Sequence, residues 1–187
     1  MRLLTVGHGT QTKEQLAVLL QKCGIEHLVD VRIAPGSKRH PHFGRAELEE
    51  WLPAAGIEYR WEGGLGGFRR PRPDSPNTAL RNSSFRGYAD YMQTEPFSRA
   101  LEQLIAEASE ASLTVMCAES LWWRCHRRMI ADASVLLCEA EVHHIGHDGR
   151  LSPHKLTDGA RVDEGGGIVY APKGTSQQPR LLEIDDQ

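Results

Sequence analysis

The chain has 187 residues, of which 40% are hydrophobic and 25% charged, and its formal net charge is -3. This length is typical of a single domain, and the composition excludes wholesale disorder. No apolar run approaches the roughly 18 residues that span a bilayer, and the N-terminus lacks the apolar core of a signal peptide. We therefore expect a cytoplasmic protein with no membrane partner. The oligomeric state stays open.

The first half of the chain alternates short apolar runs with amphipathic segments. Residues 2–6 are predicted to form a buried strand. A helix follows, with Thr12 as its N-cap, Gln15 as the capping-box partner and Gly24 as its end. Residues 27–32 are predicted to form a second strand, because they combine apolar residues with β-branched ones.

The middle of the chain continues the alternation. A helix is predicted over residues 45–56 and a strand over 57–61, followed by a long loop over 63–84. Loops of this length are uncommon unless functional or disordered, and we expect a partly ordered functional loop. Two helices broken near Pro96 come next.

The remaining elements complete an α/β pattern. A fourth strand, "SLTVMCAE", precedes a helix that begins near Cys125, and residues 141–146 are predicted to form a fifth strand. This order predicts a mostly parallel sheet of about five strands with helices on both faces. We expect a single α/β domain over residues 1–155 and a partly flexible C-terminal extension over 156–187 that contains a hairpin.

Charge is distributed unevenly along the chain. Six arginines against two acids occupy residues 60–86, whereas residues 139–187 contain nine acids and five bases. A basic middle suggests a small anionic or nucleotide-like ligand, with nucleic acid as another partner. A solvated charged surface is the ordinary alternative.

Several polar residues follow the predicted strands. In an open parallel sheet, ligands bind beyond the carboxyl ends of the strands, where loops and helix N-termini converge. One site assembled from these loops is the simplest interpretation. The strand-end residues are His8, Asp30, Arg32, Cys117 and Glu119.

Two cysteines are candidates for the chemistry. Cys125 lies at or just before a helix N-terminus beside His126 and Arg127, a setting that favours a thiolate over a thiol. Cys117 ends a buried strand two residues before Glu119, so the pair suits a nucleophile and a general base. Core packing of Cys117 is the alternative.

The same residues allow a metal interpretation. Cys117, Cys125 and His126 with His8 or His42 form a conceivable zinc set, but an eight-residue spacing without Cys-x-x-Cys is a weak signal. We therefore expect neither a metal nor another cofactor. Aromatic residues beside the arginines, including Tyr59, Trp122 and Trp123, favour a planar ligand, although core packing accounts for some of them.

Seven separated motifs, among them "TVGHG", "LVDVR", "MCAE", "CHRRMIA" and "HHIGHDG", resemble domain of unknown function family 488 over about residues 3–155. The resemblance implies an α/β fold and a site but no reaction. This chain departs from the family in "SLWWRCHR" and in its acidic extension. The positions that the resemblance carries over are His8, Asp30, Arg32, Ser37, Cys117, Glu119, Cys125, His126 and Arg127.

The leading hypothesis is a hydrolase or transferase that acts on a phosphorylated or nucleotide-like substrate. Cys125 or Cys117 is the expected nucleophile, and proton transfer is assigned to His126, Glu119 or His8. Arg32, Arg39 and Arg127 are expected to hold the anion. Asp30 would orient an arginine or contact a hydroxyl, and Ser37 and Tyr59 complete the substrate site. A nucleotide or nucleic-acid binding module without catalysis is the alternative, and a metal-binding protein is the second alternative.

Overall fold

The structure is a computed structural model that describes residues 1–36 and 39–172. The strands are β1 (Arg2–Gly7), β2 (His27–Asp30), β3 (Glu58–Trp61), β4 (Leu113–Cys117), β5 (Glu141–Ile145), β6 (Leu151–Pro153), β7 (Ala160–Val162) and β8 (Ile168–Tyr170). The helices are α1 (Lys13–Lys22), α2 (Arg45–Ala54), α3 (Ser83–Met92), α4 (Glu95–Glu110) and α5 (Arg127–Cys138).

Six strands form one sheet in the order β3-β2-β4-β1-β5-β6. The first five are parallel, and β6 pairs antiparallel with β5. The predicted α/β class with a mostly parallel sheet is confirmed. The sequence prediction missed β6, a three-residue edge strand with exposed residues that has no apolar pattern to announce it.

Helices cover both faces of the sheet, as predicted. On one face α1 and α2 pack their leucines and Trp51 against residues such as Leu28 and Val6 of the strands. On the other face α3, α4 and α5 pack against residues such as Val29 and Val115. Because alternate strand residues point to opposite faces, the continuous apolar runs of these strands supply both cores.

The helix boundaries follow local sequence chemistry. Thr12 caps α1, and the reciprocal bond from Gln15 completes the predicted capping box. The helix break near Pro96 is also present, because α3 ends at Met92 and α4 begins at Glu95 with a proline in its first turn. A proline is accepted there because the missing N–H would have no helical partner.

The predicted C-terminal hairpin is present as β7 and β8. Ile168 and Tyr170 are buried in the same core as α3 and α5. The predicted domain boundary at residue 155 stays a prediction. The expected flexibility of the last residues concerns positions outside the described ranges.

The long loop between β3 and α3 is held by a buried carboxylate. Asp90 accepts hydrogen bonds from the backbone N–H of Arg72 at 2.7 Å, from Ser75 Oγ at 2.6 Å and from Asn77 Nδ2 at 2.8 Å. The Asn77 amide oxygen accepts from the N–H of Tyr170 at 2.9 Å, which ties the loop to β8. Across the described residues, no helix is both long and apolar enough to cross a membrane.

Candidate thiol site

Three side chains converge at the carboxyl end of β4. The Sγ atoms of Cys117 and Cys125 lie 4.0 Å and 3.7 Å from Nδ1 of His126. All three potential ligand atoms lie within 4.8 Å of one another. Cys125 is 4% exposed and Cys117 is partly buried. The structure therefore brings together both predicted nucleophiles and one of the three residues predicted for proton transfer.

The fold positions these residues through β4 and the turn before α5. Cys117 ends β4 and pairs with Gly7 of β1. A short 3₁₀ helix, Trp122–Arg124, then returns the chain to the sheet, and α5 begins at Arg127 with His126 as its N-cap residue. Cys125 thus lies just before the helix, as the sequence predicted.

The ring of His126 is held in one orientation. Its Nε2 lies 3.1 Å from the carbonyl oxygen of Val31, which only accepts hydrogen bonds, so Nε2 carries a proton. Nδ1 therefore faces both sulfurs and can accept or hold a proton from a thiol. The ring packs against Tyr88 with 5.1 Å between centroids, and a Cβ on Gly67 would lie 3.1 Å from Nδ1. These contacts leave His126 little freedom to turn.

Arg127 is the largest fully buried side chain, at 1% exposure. Its Nε donates to Cys125 Sγ at 3.4 Å, and its other donors reach Thr5 Oγ1 at 3.4 Å and the carbonyl oxygen of Glu119. Over residues 1–36 and 39–172, no carboxylate forms an ion pair with it. A buried guanidinium requires a compensating charge, and the Cys125 sulfur is the contact able to supply one as a thiolate.

The pKa values of Cys117 and Cys125 are shifted in opposite directions. A hydrogen bond from Cys117, together with His126 and Arg127, holds the pKa of Cys125 well below its ordinary value of 9.0, despite burial. The hydrogen bond to Cys125 and burial raise the pKa of Cys117 well above 9.0. These directions favour Cys125 over Cys117 as the thiolate.

A buried chain of hydrogen bonds extends from the far side of Arg127. The guanidinium donates to Thr5 Oγ1, and the same hydroxyl oxygen lies 2.7 Å from His144 Nδ1. His144 Nε2 lies 3.0 Å from His154 Nδ1, and His154 Nε2 lies 3.0 Å from Asp132 Oδ1. The Asp132 carboxylate only accepts, so His154 Nε2 donates to it. These hydrogen bonds hold the Arg127 guanidinium next to the Cys125 sulfur.

This series of hydrogen-bonded side chains was not predicted from the sequence. Thr5 is a polar residue in a buried strand, and Asp132 is an acid within the buried part of α5. His144 belongs to the motif "HHIGHDG". Polar residues inside apolar runs were the available signal, since buried polar groups need partners.

Four other predicted residues form a second cluster beside the first. Asp30 binds Arg32 through both oxygens, at 2.8 Å to Nε and 2.6 Å to Nη2, and accepts from the Tyr59 hydroxyl at 3.0 Å. Arg32 Nη1 lies 3.4 Å from His8 Nε2. This carboxylate orients an arginine, one of the two roles expected of Asp30. The Arg32 guanidinium is thus already paired with the Asp30 carboxylate.

His8 lies between the two clusters. Its backbone N–H donates to the carbonyl oxygen of Cys117 at 3.0 Å, while its ring packs on Phe43 with 4.2 Å between centroids. Burial, then the Arg32 charge, lowers the pKa of His8 from 6.5 to about 4. The imidazole is therefore neutral near pH 7.

The remaining predicted residues are Glu119, Arg39 and Ser37. The Glu119 carboxylate accepts from the N–H of Leu121 at 3.1 Å, and its hydrogen bond there holds the turn after β4. Arg39 is exposed, and Ser37 lies outside the described residues. The roles assigned to these residues stay predictions.

Comparison with known proteins gives one match. A family model described as "Domain of unknown function DUF488" matches residues 11–134. Comparisons with curated proteins and with solved structures give no match. The matched range contains both clusters except His8 and ends before His144 and His154.

Proposed function

Because the chain belongs to the DUF488 family, whose description assigns no reaction, we propose a function from the geometry of the site. The proposed function is that of an enzyme, a hydrolase or a transferase, in which Cys125 is a thiolate nucleophile. The observation that carries the proposal is the buried contact between Arg127 Nε and Cys125 Sγ at 3.4 Å. This contact stabilises the reactive thiolate form of Cys125, whereas burial alone would favour the unreactive thiol.

The neighbouring residues suit the steps of such a reaction. The Cys125 sulfur forms a bond to an electrophilic atom of the substrate as the leaving group departs with the bonding electron pair. His126 or the Cys117 thiol supplies a proton to that group. Water in a hydrolase, or an acceptor in a transferase, then gives its proton to the same His126 or Cys117 and bonds to the electrophilic atom. The bond to sulfur breaks, and the sulfur leaves as the thiolate.

Arg127 supports the nucleophile in this proposal and does not hold the substrate anion. Its donors already reach Cys125, Thr5 and Glu119. Arg32 is likewise paired with Asp30. A phosphorylated or nucleotide-like substrate therefore has to meet other cations.

A metal centre is the second candidate function. Nδ1 of His126 faces both sulfurs, and the three ligand atoms lie within 4.8 Å of one another, as a Cys₂His site requires. Charge balance favours the thiolate. One thiolate neutralises Arg127, whereas a dication bound to two thiolates would leave the buried guanidinium uncompensated.

The test is the rate of alkylation by iodoacetamide as a function of pH, followed for each cysteine by mass spectrometry. Cys125 is expected to react with a midpoint well below pH 9. Cys23 and Cys138 are internal controls, because burial raises the pKa of each. A Cys125 that reacts only like these controls, or not at all in the native protein, contradicts the proposal. About one equivalent of zinc in untagged protein, with both thiols blocked until chelation, would establish the metal centre instead.

A further inference from the structure

A groove of about 490 Å³ lies beside the turn that delivers Cys125. Its walls are residues 79–82, residues 155–158 and the turn that holds Trp122 and Trp123, with Phe85 and Arg128 between them. The volume is within the range of small-molecule sites. Trp122 and Trp123, which the sequence suggested for a planar ligand, line this groove, whereas Asp30, Arg32 and the other residues assigned to the substrate site do not.

Aromatic rings of fixed orientation face the groove. Trp122 and Trp123 are perpendicular, at 89°, with 5.7 Å between centroids. Trp122 is fixed by its stack on His144, whereas Trp123 is 50% exposed. An exposed indole on a fixed turn leaves a flat apolar face for a planar ligand.

The charges of the groove suit an anion. Arg81, Arg128 and Lys155 line it together with one acid, Asp158. Within the described ranges none of the three cations forms an ion pair with a carboxylate. Arg128 lies over the Phe85 ring, 4.5 Å from its centroid, and donates to the carbonyl oxygen of Trp123 at 3.2 Å. The guanidinium is therefore held at the wall of the groove.

A second groove of similar size lacks this combination. It has a volume of about 540 Å³ between α1 and the turn after β5, and its lining includes Glu14, Lys22, His147 and Asp148. Its charges are mixed, and no tryptophan, tyrosine or phenylalanine lines it. The pairing of an exposed indole with unpaired cations thus distinguishes the groove at Trp123.

We propose that the groove at Trp123 binds a nucleoside phosphate, with the base stacked on Trp123 and the phosphate held by Arg81, Arg128 and Lys155. This deepens the proposed function and rests on it for one point only, that the bound nucleotide is the substrate of Cys125. The turn that carries Trp122 and Trp123 leads directly into Cys125, and Arg128 follows Arg127, so the two sites share one segment of chain.

The experiment is isothermal titration calorimetry of the full chain with the four nucleoside 5′-monophosphates. At least one is expected to bind with a dissociation constant below about 1 mM. Trp123→Ala is expected to weaken binding by about 5- to 100-fold, the loss of one base–aromatic stack. Lys155→Ala is expected to weaken it by several-fold and to reduce its salt dependence. Lys22→Ala, which removes a lysine from the other groove, is the matched control and should bind like the wild type.

Three results would overturn the proposal. The first is that no monophosphate binds up to about 10 mM, and the second is that Lys22→Ala weakens binding as much as Trp123→Ala and Lys155→Ala do. The third is that inorganic phosphate binds as tightly as the nucleotide. A 12-nucleotide single strand that binds through the same residues while mononucleotides do not would identify a nucleic-acid site instead. Cys125→Ser separates the two proposals, because nucleotide binding is expected to survive in this variant even if the thiol proves inert. Circular dichroism checks that each variant is folded.

Discussion

The indole of Trp122 lies face to face on the imidazole of His144, with 4.0 Å between centroids and 8° between planes. This stack joins the turn before Cys125 to strand β5. His144 is also the middle of the hydrogen-bond chain from Arg127 to Asp132. One imidazole therefore connects the tryptophan groove to the residues that stabilise the thiolate.

The pH dependence of stability should reflect His144. Burial, then the neighbouring His154 and Arg127, lowers the pKa of His144 from 6.5 to about 3. Below pH 6.5 the unfolded chain takes up a proton that the folded chain does not, so the free energy of unfolding falls as the pH drops from about 6.5 to about 3. Each unit of pKa difference corresponds to about 1.4 kcal/mol.

The measurement is urea unfolding of wild type and His144→Asn at several values between pH 7 and pH 4. The variant is expected to be less stable at pH 7 and to lose less stability on acidification. His27→Asn, at a partly exposed position on the sheet surface, is the control. An unchanged pH slope in His144→Asn would contradict the buried neutral state of this imidazole.

Replacing Arg127 should change both stability and thiol acidity. Arg127→Gln removes the buried charge beside Cys125, so we expect the pKa of Cys125 to rise by about one unit or more. The free energy of unfolding should fall by about 3 to 5 kcal/mol, as when one partner of a buried charge pair is lost. Thiolate absorbance at 240 nm against pH measures the first effect, and urea unfolding measures the second. Arg124→Gln, at an exposed position of the preceding turn, should leave both at the wild-type value.

Gly7 is expected to tolerate no side chain. A Cβ there would lie 1.9 Å from the carbonyl oxygen of Glu119 and 2.7 Å from Nη2 of Arg127. Gly7→Ala should therefore cost about 3 kcal/mol or more, because the backbone after β4 has to move. Gly36→Ala is the control, since a Cβ at Gly36 meets no atom within 4 Å. Equal melting temperatures for the two variants would show that the close approach at Gly7 is not required.

The order of the long loop should depend on Asp90. Asp90→Asn replaces one of the two acceptor oxygens by a donor, and three donors converge on this side chain. We expect cleavage by trypsin after Arg69 to be at least several-fold faster, with a loss of about 1 to 3 kcal/mol in stability. Arg70 and Arg72 each precede a proline, so trypsin does not cut there. Asp74→Asn, whose carboxylate is exposed and 3.9 Å from Arg72, is the control. A loop that resists trypsin equally in both variants would be held by other contacts.

The fold was largely predictable from local patterns. The capping box of Thr12 and Gln15, the break near Pro96 and the alternation of apolar strands with amphipathic helices are all local, and each is present. Strand order was not predictable, because which strands pair depends on contacts between distant segments. The insertion of β4 between β2 and β1, which puts Cys117 beside Gly7, is such a case.

For the candidate site, the sequence by itself determined which residue types were available and that Cys117, His8 and Asp30 would follow strands. Only the tertiary structure decided which of them meet. It paired Arg32 with Asp30 and buried Arg127 against Cys125. It also linked Thr5 to His144, 139 positions away in the sequence, and through His144 to His154 and Asp132. The sequence determines which titratable group stands at each position, but its partners depend on the register of strands far apart in the chain, and those partners determine its charge and its chemistry.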